Sequence, residues 1–225
     1  VGGWYRESRN YIEDVEVEVQ RRKTAGWKAT LDHTEYFSNA TLSGNLTYKR
    51  GTGGLGAMRA PEEEFGEAYT HVGIIQANAS LQVPFKFGAQ NLQYTAEWRM
   101  QHTNQPLTPQ DRFSIGNRYT VRGFDGEQTL MADNGFLVRN EISGAISKLP
   151  MQWYAGIDYG EVGGRTAREP NPLPGTSLLG SVIGLRGQIA PLRLSYDAFI
   201  GAPLKKPNHF KTDDYTTGFS LNWSY

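Results

Sequence analysis

The chain contains no cysteine, and this absence excludes two kinds of site at once. Neither a disulfide framework nor a thiolate metal centre can form without that residue. The chain also lacks an excess of either charge, because 23 Lys and Arg residues balance 23 Asp and Glu residues and the formal net charge is +0. Proteins that bind a phosphate backbone carry a basic excess, so nucleic acid is not expected as a partner.

Long apolar runs are also missing. No segment approaches the roughly 18 consecutive apolar residues of a membrane helix, and the mean hydropathy is −0.54. A membrane-spanning strand needs only about 9–11 residues, of which every second one must be apolar. A β-barrel in lipid is therefore compatible with this composition. No signal peptide follows Val1, so we expect a removed leader or a fragment.

Most of the chain alternates apolar and polar residues with a period of two, which is the pattern of β-strands. Long and short polar connections separate these segments roughly in turn, as in outer-membrane barrels. We predict about ten strands, at residues 14–20, 25–37, 40–49, 72–84, 92–101, 136–145, 151–162, 177–189, 192–201 and 215–225.

The alternation assigns each strand an apolar face for lipid and a polar face for a water-filled lumen. Four polar-face residues are predicted to line that lumen: Gln93, Glu97, Arg99 and Gln152. A soluble β-sandwich or a lipocalin-like barrel would also alternate. The length of the strands and the 20% of charged residues favour the all-β transmembrane antiparallel barrel.

The connection at residues 104–134 is unusually long, and loops of that length are uncommon unless they have a function. Its residues 118–127 read RYTVRGFDGE. From composition alone, Arg122 would be interpreted as an ordinary solvated loop charge.

Signals of catalysis are missing around this loop. The four histidines are scattered without ligand spacing, and no Gly-x-Ser-x-Gly motif is present. We therefore expect no enzyme activity, no cofactor and no metal site.

Residues 118–127 resemble the loop signature of the Omp85 superfamily. More narrowly, they are similar to the two-partner-secretion transporters (TpsB), which export haemolysins, filamentous haemagglutinin-type adhesins and contact-dependent-inhibition toxins. The core of the resemblance is carried by Val121, Arg122, Gly123 and Phe124.

A second element supports the resemblance. Gly156, Asp158 and Gly160 match the family's Gly/Phe-x-Asp-x-Gly element on a late barrel strand. The resemblance implies that the loop folds into the lumen and that its Arg122 pairs with Asp158.

The resemblance also implies an architecture and a function. Residues 1–225 would be the C-terminal part of a barrel of about sixteen strands, without the plug helix and POTRA domains of the family. The protein would sit in the bacterial outer membrane as a monomeric pore and export an unfolded TpsA-type exoprotein without nucleotide hydrolysis. Two alternatives stay open: an Omp85 insertase that assembles other barrels, and a passive porin.

The last predicted strand carries aromatic and apolar residues at every second position. Phe219, Leu221, Trp223 and Tyr225 resemble the terminal signal that the barrel assembly machinery reads in outer-membrane proteins. That machinery and the lipid bilayer are therefore expected partners, although the same pattern suits any lipid-facing strand.

Overall fold

The computed structural model describes residues 1–17, 21–146, 150–164 and 176–224. The strands of this part of the chain are β1 (Gly2–Ser8), β2 (Tyr11–Ile12), β3 (Val15–Glu16), β4 (Arg22–Phe37), β5 (Ala40–Thr52), β6 (Gly73–Phe87), β7 (Gln90–His102), β8 (Phe113–Ile115), β9 (Leu130–Ala132), β10 (Asn134–Ala145), β11 (Met151–Gly163), β12 (Ser177–Ile189), β13 (Leu194–Lys205) and β14 (Thr216–Trp223). Short 3-10 turns occupy Gly54–Gly56, Pro61–Phe65, Pro109–Asp111 and Ala190–Leu192.

Ten strands form one antiparallel sheet in the order β1-β4-β5-β6-β7-β10-β11-β12-β13-β14. Neighbours in this sheet follow one another along the chain, apart from the short strands β2, β3, β8 and β9, so the sheet is a meander. Short connections at residues 38–39, 88–89 and 190–193 alternate with long ones at 53–72, 103–133 and 206–215. Because successive strands are antiparallel, the short connections lie at one edge of the sheet and the long ones at the other.

The outward face of the sheet is apolar and exposed. Leu31 of β4 lies opposite Leu46 of β5, and Met100 of β7 continues the same row two strands further on. All three side chains are exposed. Aromatic rings lie near both edges of this face, and the pair formed by Phe136 and Tyr159 has its centroids 5.8 Å apart. Such a face suits contact with lipid.

The opposite face is polar and carries ladders of side-chain hydrogen bonds between neighbouring strands. Asn78 donates to Asn45 at 3.0 Å, and Gln76 donates to Gln101 at 2.8 Å. These pairs join β5, β6 and β7 through side chains as well as through the backbone. In the described part of the chain, no helix is long and apolar enough to cross a bilayer.

The first predicted strand is wrong. Residues 14–16 belong instead to a small hairpin in which β2 pairs with β3, and residues 18–20 lie outside the described part of the chain. Glu13 and Asp14 have positive φ angles of 48° and 66°, which a tight turn requires and a strand forbids. The strand that takes its place in the ten-stranded sheet is β1, Gly2–Ser8, which was not predicted because its two glycines obscure the alternation.

The buried apolar core lies against the polar face, between the wall of the sheet and the long connection 103–133. Most of its members belong to that connection, and the others come from β10, β11, β12 and the connection after β13. They are Phe113, Ile115, Val121, Phe124, Leu130, Ala132, Leu137, Val162, Leu178 and Phe210.

Candidate functional site

The connection between β7 and β10, residues 103–133, folds back onto the polar face of the sheet and is called the inner loop below. Its strands β8 and β9 pair with each other, with Phe113 opposite Ala132. Gln101 of the wall donates its side-chain amide to the backbone oxygens of Asp111 at 2.8 Å and Asp133 at 3.1 Å. Both limbs of the inner loop are therefore tied to β7.

Arg122 at the tip of the inner loop meets Asp158 of β11 through three hydrogen bonds. The guanidinium donates from Nε to Oδ2 at 2.7 Å and from Nη2 to Oδ1 at 2.8 Å. The backbone N–H of Arg122 also donates to Oδ2, at 3.0 Å. The two side-chain bonds form the bidentate pairing that the planar groups favour.

Burial makes this pairing obligatory. Asp158 is 0% exposed and Arg122 is 7% exposed. Removing either ion from water costs on the order of several kcal/mol, unless a partner of opposite charge replaces the lost hydration. Burial lowers the pKa of Arg122, but its bonds to Asp158 and Glu141 outweigh that effect and raise the pKa above the ordinary value. The guanidinium thus stays charged.

Glu141 of β10 is a second acceptor for the same guanidinium. Nη1 of Arg122 donates to Glu141 at 2.6 Å, and Arg186 of β12 contacts the other oxygen of Glu141 at 2.9 Å. On the other side of Asp158, Arg139 Nε lies 3.8 Å from the carboxylate, and its Nη1 lies 3.3 Å from Glu97. Acidic and basic groups thus alternate across four strands beneath the loop.

The glycines around Asp158 leave room for the loop. A methyl group on Gly156 would lie 2.6 Å from Arg122 Nη2, and one on Gly160 would lie 2.9 Å from the side chain of Val121. Gly123 has φ of +99°, and a methyl group there would lie 2.5 Å from the backbone oxygen of Ala202. A side chain at any of these positions would push the tip off the wall.

Val121 and Phe124 bury their side chains on either side of Arg122. Their exposures are 0% and 1%, and both belong to the buried core. Their packing excludes water from the ion pair, and this strengthens the attraction between its charges.

A second ionic contact holds the inner loop near its start. Asp111 accepts from Lys49 of β5 at 2.9 Å and from Arg6 of β1 at 3.3 Å. Lys49 also lies over the ring of Trp4, 4.3 Å from its centroid. The inner loop is thus fastened to β1 and β5 at one point and to β10 and β11 at another.

The polar residues predicted to line the lumen all lie on the face that carries the inner loop, but they are dispersed along it. These residues are Gln93, Glu97, Arg99 and Gln152. Glu97 reaches Arg139, and Gln152 accepts from Arg186 at 3.3 Å. Glu97 and Gln152 therefore each touch one member of the charged network around Arg122, namely Arg139 and Arg186.

The described residues of the predicted terminal signal lie on the opposite, outward face. Phe219, Leu221 and Trp223 are exposed on β14, and Tyr225 lies outside the described residues. Their exposure suits contact with lipid, and the role as an assembly signal stays a prediction.

Sequence reasoning missed three members of the charged network, namely Glu141, Arg139 and Arg186. Arg139 and Glu141 stand at alternate positions of one strand, so their shared polar face was detectable. Their partners were not, because register across the sheet decides them. In the described residues, no group of three or more His, Cys, Asp or Glu side chains could hold a metal ion.

The model of the haemolysin secretion/activation protein family ShlB/FhaC/HecB matches residues 1–187 of the chain. Among curated proteins, the outer membrane transporter CdiB-2 of Burkholderia pseudomallei (strain 1026b) is 35% identical over 215 residues. That match covers 94% of this chain but only 36% of the relative. The haemolysin transporter protein HpmB of Proteus mirabilis is 23% identical over 164 residues, which are 70% of this chain and 28% of HpmB.

Two solved structures of CdiB proteins are also similar to this chain. CdiB from Acinetobacter baumannii superposes with a TM-score of 0.85 at 37% identity, over 99% of this chain and 38% of that one. CdiB from Escherichia coli superposes with a TM-score of 0.83 at 24% identity, over 95% of this chain and 39% of that one, and shows the shared fold. The chain therefore spans little more than a third of these CdiB proteins and less than a third of HpmB.

Proposed function

The chain belongs to the haemolysin secretion/activation protein family ShlB/FhaC/HecB, and from this premise we propose that it forms part of an outer-membrane export pore. Its cargo would be a large unfolded exoprotein of the TpsA type, which crosses the bacterial outer membrane in two-partner secretion. Residues 1–225 would supply the C-terminal strands of a barrel of about sixteen. The observation that carries the proposal is the burial of Arg122 against Asp158 on the wall of the sheet.

The two faces of the sheet support a location in a bilayer. The outward face carries exposed aliphatic side chains such as Leu31 and Ile183, with aromatic rings towards its edges. Phe37, Phe87 and Trp223 lie near the edge with short connections, and all three are exposed. Transmembrane barrels carry such aromatic girdles at both interfaces, where amphipathic rings meet the headgroups. So many exposed apolar side chains on one face would be unfavourable in water.

The inward face supports the passage of a polypeptide. It offers amide and hydroxyl groups along several strands, including Asn45, Asn78 and the pair formed by Thr30 and Thr47 at 2.9 Å. An unfolded chain needs hydrogen-bond partners that exchange easily, and neutral side chains of this kind provide them without strong binding. The family is one of transporters, and we propose no catalytic step and no nucleotide hydrolysis for this chain.

The inner loop would act as the movable part of the pore. We use the word latch for Arg122 together with Asp158 and Glu141, which hold its tip on β10 and β11. We propose that the loop has a seated and a released position, and that a passing chain shifts the balance between them. Folding of the exoprotein outside the cell would supply the driving force.

A secretion assay tests the proposal. The gene would be expressed with the neighbouring exoprotein gene in a strain that lacks the native transporter, and exoprotein would be measured in the medium and the periplasm. If the proposal is right, exoprotein appears in the medium only when the transporter is present. A general fall in other outer-membrane barrels on deletion would indicate an insertase, and a steady large conductance without any partner gene would indicate a porin.

The predicted partners in assembly can be tested separately. We propose that the barrel assembly machinery inserts the protein through its last strand and that the pore is a monomer. Depletion of that machinery should remove the folded barrel from the outer membrane, and the mass of the purified protein in detergent reports its oligomeric state.

A further inference from the structure

The tip of the inner loop is also held from a direction that the latch does not use. The connection between β13 and β14, residues 206–215, lies against it. Phe210 of this connection is 2% exposed, whereas its neighbours Asn208 and His209 are exposed. One side chain of an otherwise open segment is therefore inserted into the protein.

Phe210 enters the same buried core as the loop motif. Its ring meets that of Phe124 edge to face, with the centroids 5.7 Å apart. A methyl group on Gly116 would lie 3.4 Å from the Phe210 ring and 3.1 Å from Leu178, so the rings and the loop backbone are closely packed. Edge-to-face aromatic pairs add a specific orientation to the hydrophobic contact.

Polar contacts flank the two rings. The carboxylate of Asp125 accepts from Thr212 Oγ1 at 3.0 Å and from the backbone N–H of Asp213 at 2.9 Å. Within the inner loop, it also accepts from the backbone N–H of Glu127 at 3.0 Å. Burial raises the pKa of Asp125, but these hydrogen bonds outweigh that effect and lower it below the ordinary value.

A further bond closes the other side of the tip. The side-chain oxygen of Gln128 accepts from the backbone N–H of Lys211 at 2.8 Å. Two side chains of the inner loop therefore cover backbone N–H groups of residues 211 and 213, which the pairing of β13 with β14 leaves unused. The contact is specific because it satisfies donors that lie at fixed positions.

The latch and this second contact share no side chain. Arg122 reaches β10 and β11, whereas Phe124 and Asp125 reach the connection after β13. The position of the tip therefore depends on two groups of side-chain contacts.

We propose that residues 210–213 form a clasp that keeps the inner loop seated, and that Phe210 and Asp125 are its positioning residues. The proposal rests on the proposed function, because it assumes that the inner loop occupies the export path. The pore opens only when the clasp releases the tip. The clasp lies at the edge with the long connections, so an event among those connections can act on the loop through it.

The experiment measures opening without any exoprotein. Full-length transporter with Phe210→Ala or Asp125→Asn would be reconstituted in planar bilayers, and the open fraction recorded. We expect it to rise about tenfold for Phe210→Ala, because truncating a buried Phe removes more than the free energy that a tenfold change requires. Phe210→Leu, which keeps apolar volume, should restore most of the closed state. His209→Ala is the matched control and should behave as wild type.

A purely structural role is separated by a second readout. The barrel's resistance to unfolding in detergent, seen as heat-modifiable migration on a gel, should be unchanged in all four variants. An open fraction equal to wild type in both Phe210→Ala and Asp125→Asn overturns the proposal. A rise that is matched by loss of the heat-resistant barrel also overturns it, since the clasp would then be part of the fold alone.

Cross-linking gives the opposite manipulation in a chain that has no native cysteine. Asp125→Cys with Thr212→Cys places two thiols where the side chains now share a hydrogen bond. Under oxidation we expect openings to disappear and secretion to stop, with recovery on reduction. Openings that persist in the cross-linked fraction would refute the clasp. If the wild-type transporter secretes no exoprotein although its openings still depend on the clasp, only the proposed export function is refuted.

Discussion

The guanidinium of Arg122 donates to Glu141 at 2.6 Å while its other two nitrogens hold Asp158. The loop cation is therefore shared between two neighbouring strands, β10 and β11. Two carboxylates around a single guanidinium repel each other, and the contact of Arg186 with Glu141 at 2.9 Å offsets that repulsion. The latch is a three-charge unit extended by a fourth charge, and its parts are expected to contribute unequally.

Asp158→Asn should unseat the inner loop. It keeps the shape of the side chain but leaves the buried guanidinium with only Glu141, and breaking a buried pair costs about 3–5 kcal/mol. We expect secretion to fall severely and the loop to become sensitive to protease in purified protein. Asp214→Asn, at an exposed site, serves as the control. Unchanged secretion and unchanged protease resistance in Asp158→Asn would show that the latch has no role.

Glu141→Gln should have a smaller effect than Asp158→Asn. The amide oxygen can still accept from Arg122, and the Glu141 side chain is 14% exposed where Asp158 is 0% exposed. We expect a loss of about 1–2 kcal/mol in loop seating, measured as a shift in loop protease resistance. A cycle with Arg186→Gln measures the coupling between the two. An effect as large as that of Asp158→Asn would contradict this ranking.

Gly156→Ala should displace Arg122 without removing any charge. The added methyl group would lie 2.6 Å from Nη2, and overpacking of that kind costs about 1–3 kcal/mol. Gly163→Ala is the control on the same strand, because a methyl group there meets nothing within 4 Å. Loop protease resistance and secretion should fall in the first variant only. Equal behaviour of the two would show that the space at Gly156 is unimportant.

The contact of Asp111 with Lys49 should be weaker than the latch. The Lys49 side chain is 21% exposed, and pairs open to water contribute about 0.2–1 kcal/mol. Asp111→Lys alone should raise hydrogen exchange in the first limb of the inner loop, and Lys49→Asp in the same protein should partly reverse it. The reversal should weaken in high salt. Failure of the double variant to recover would indicate that backbone contacts alone hold this limb.

The fold class could be predicted from the sequence, and the ten-stranded antiparallel sheet confirms it. Alternation over 92–101 is unbroken, and a period of two over ten residues indicates a β-strand. The prediction of a strand at residues 14–20 used the same rule and was wrong. The alternation there spans few residues, and Asp14 lies in the tight turn of a small hairpin.

The sequence by itself determined which side chains face inward, because successive residues of a strand point to opposite faces. It also singled out Arg122 and Asp158, through a motif and its counterpart. Only the tertiary structure decided that Glu141 completes the latch and that Phe210 closes over Phe124. Alternation gives the face of a residue and not its partner, since partners follow from strand register and from where a distant connection comes to lie.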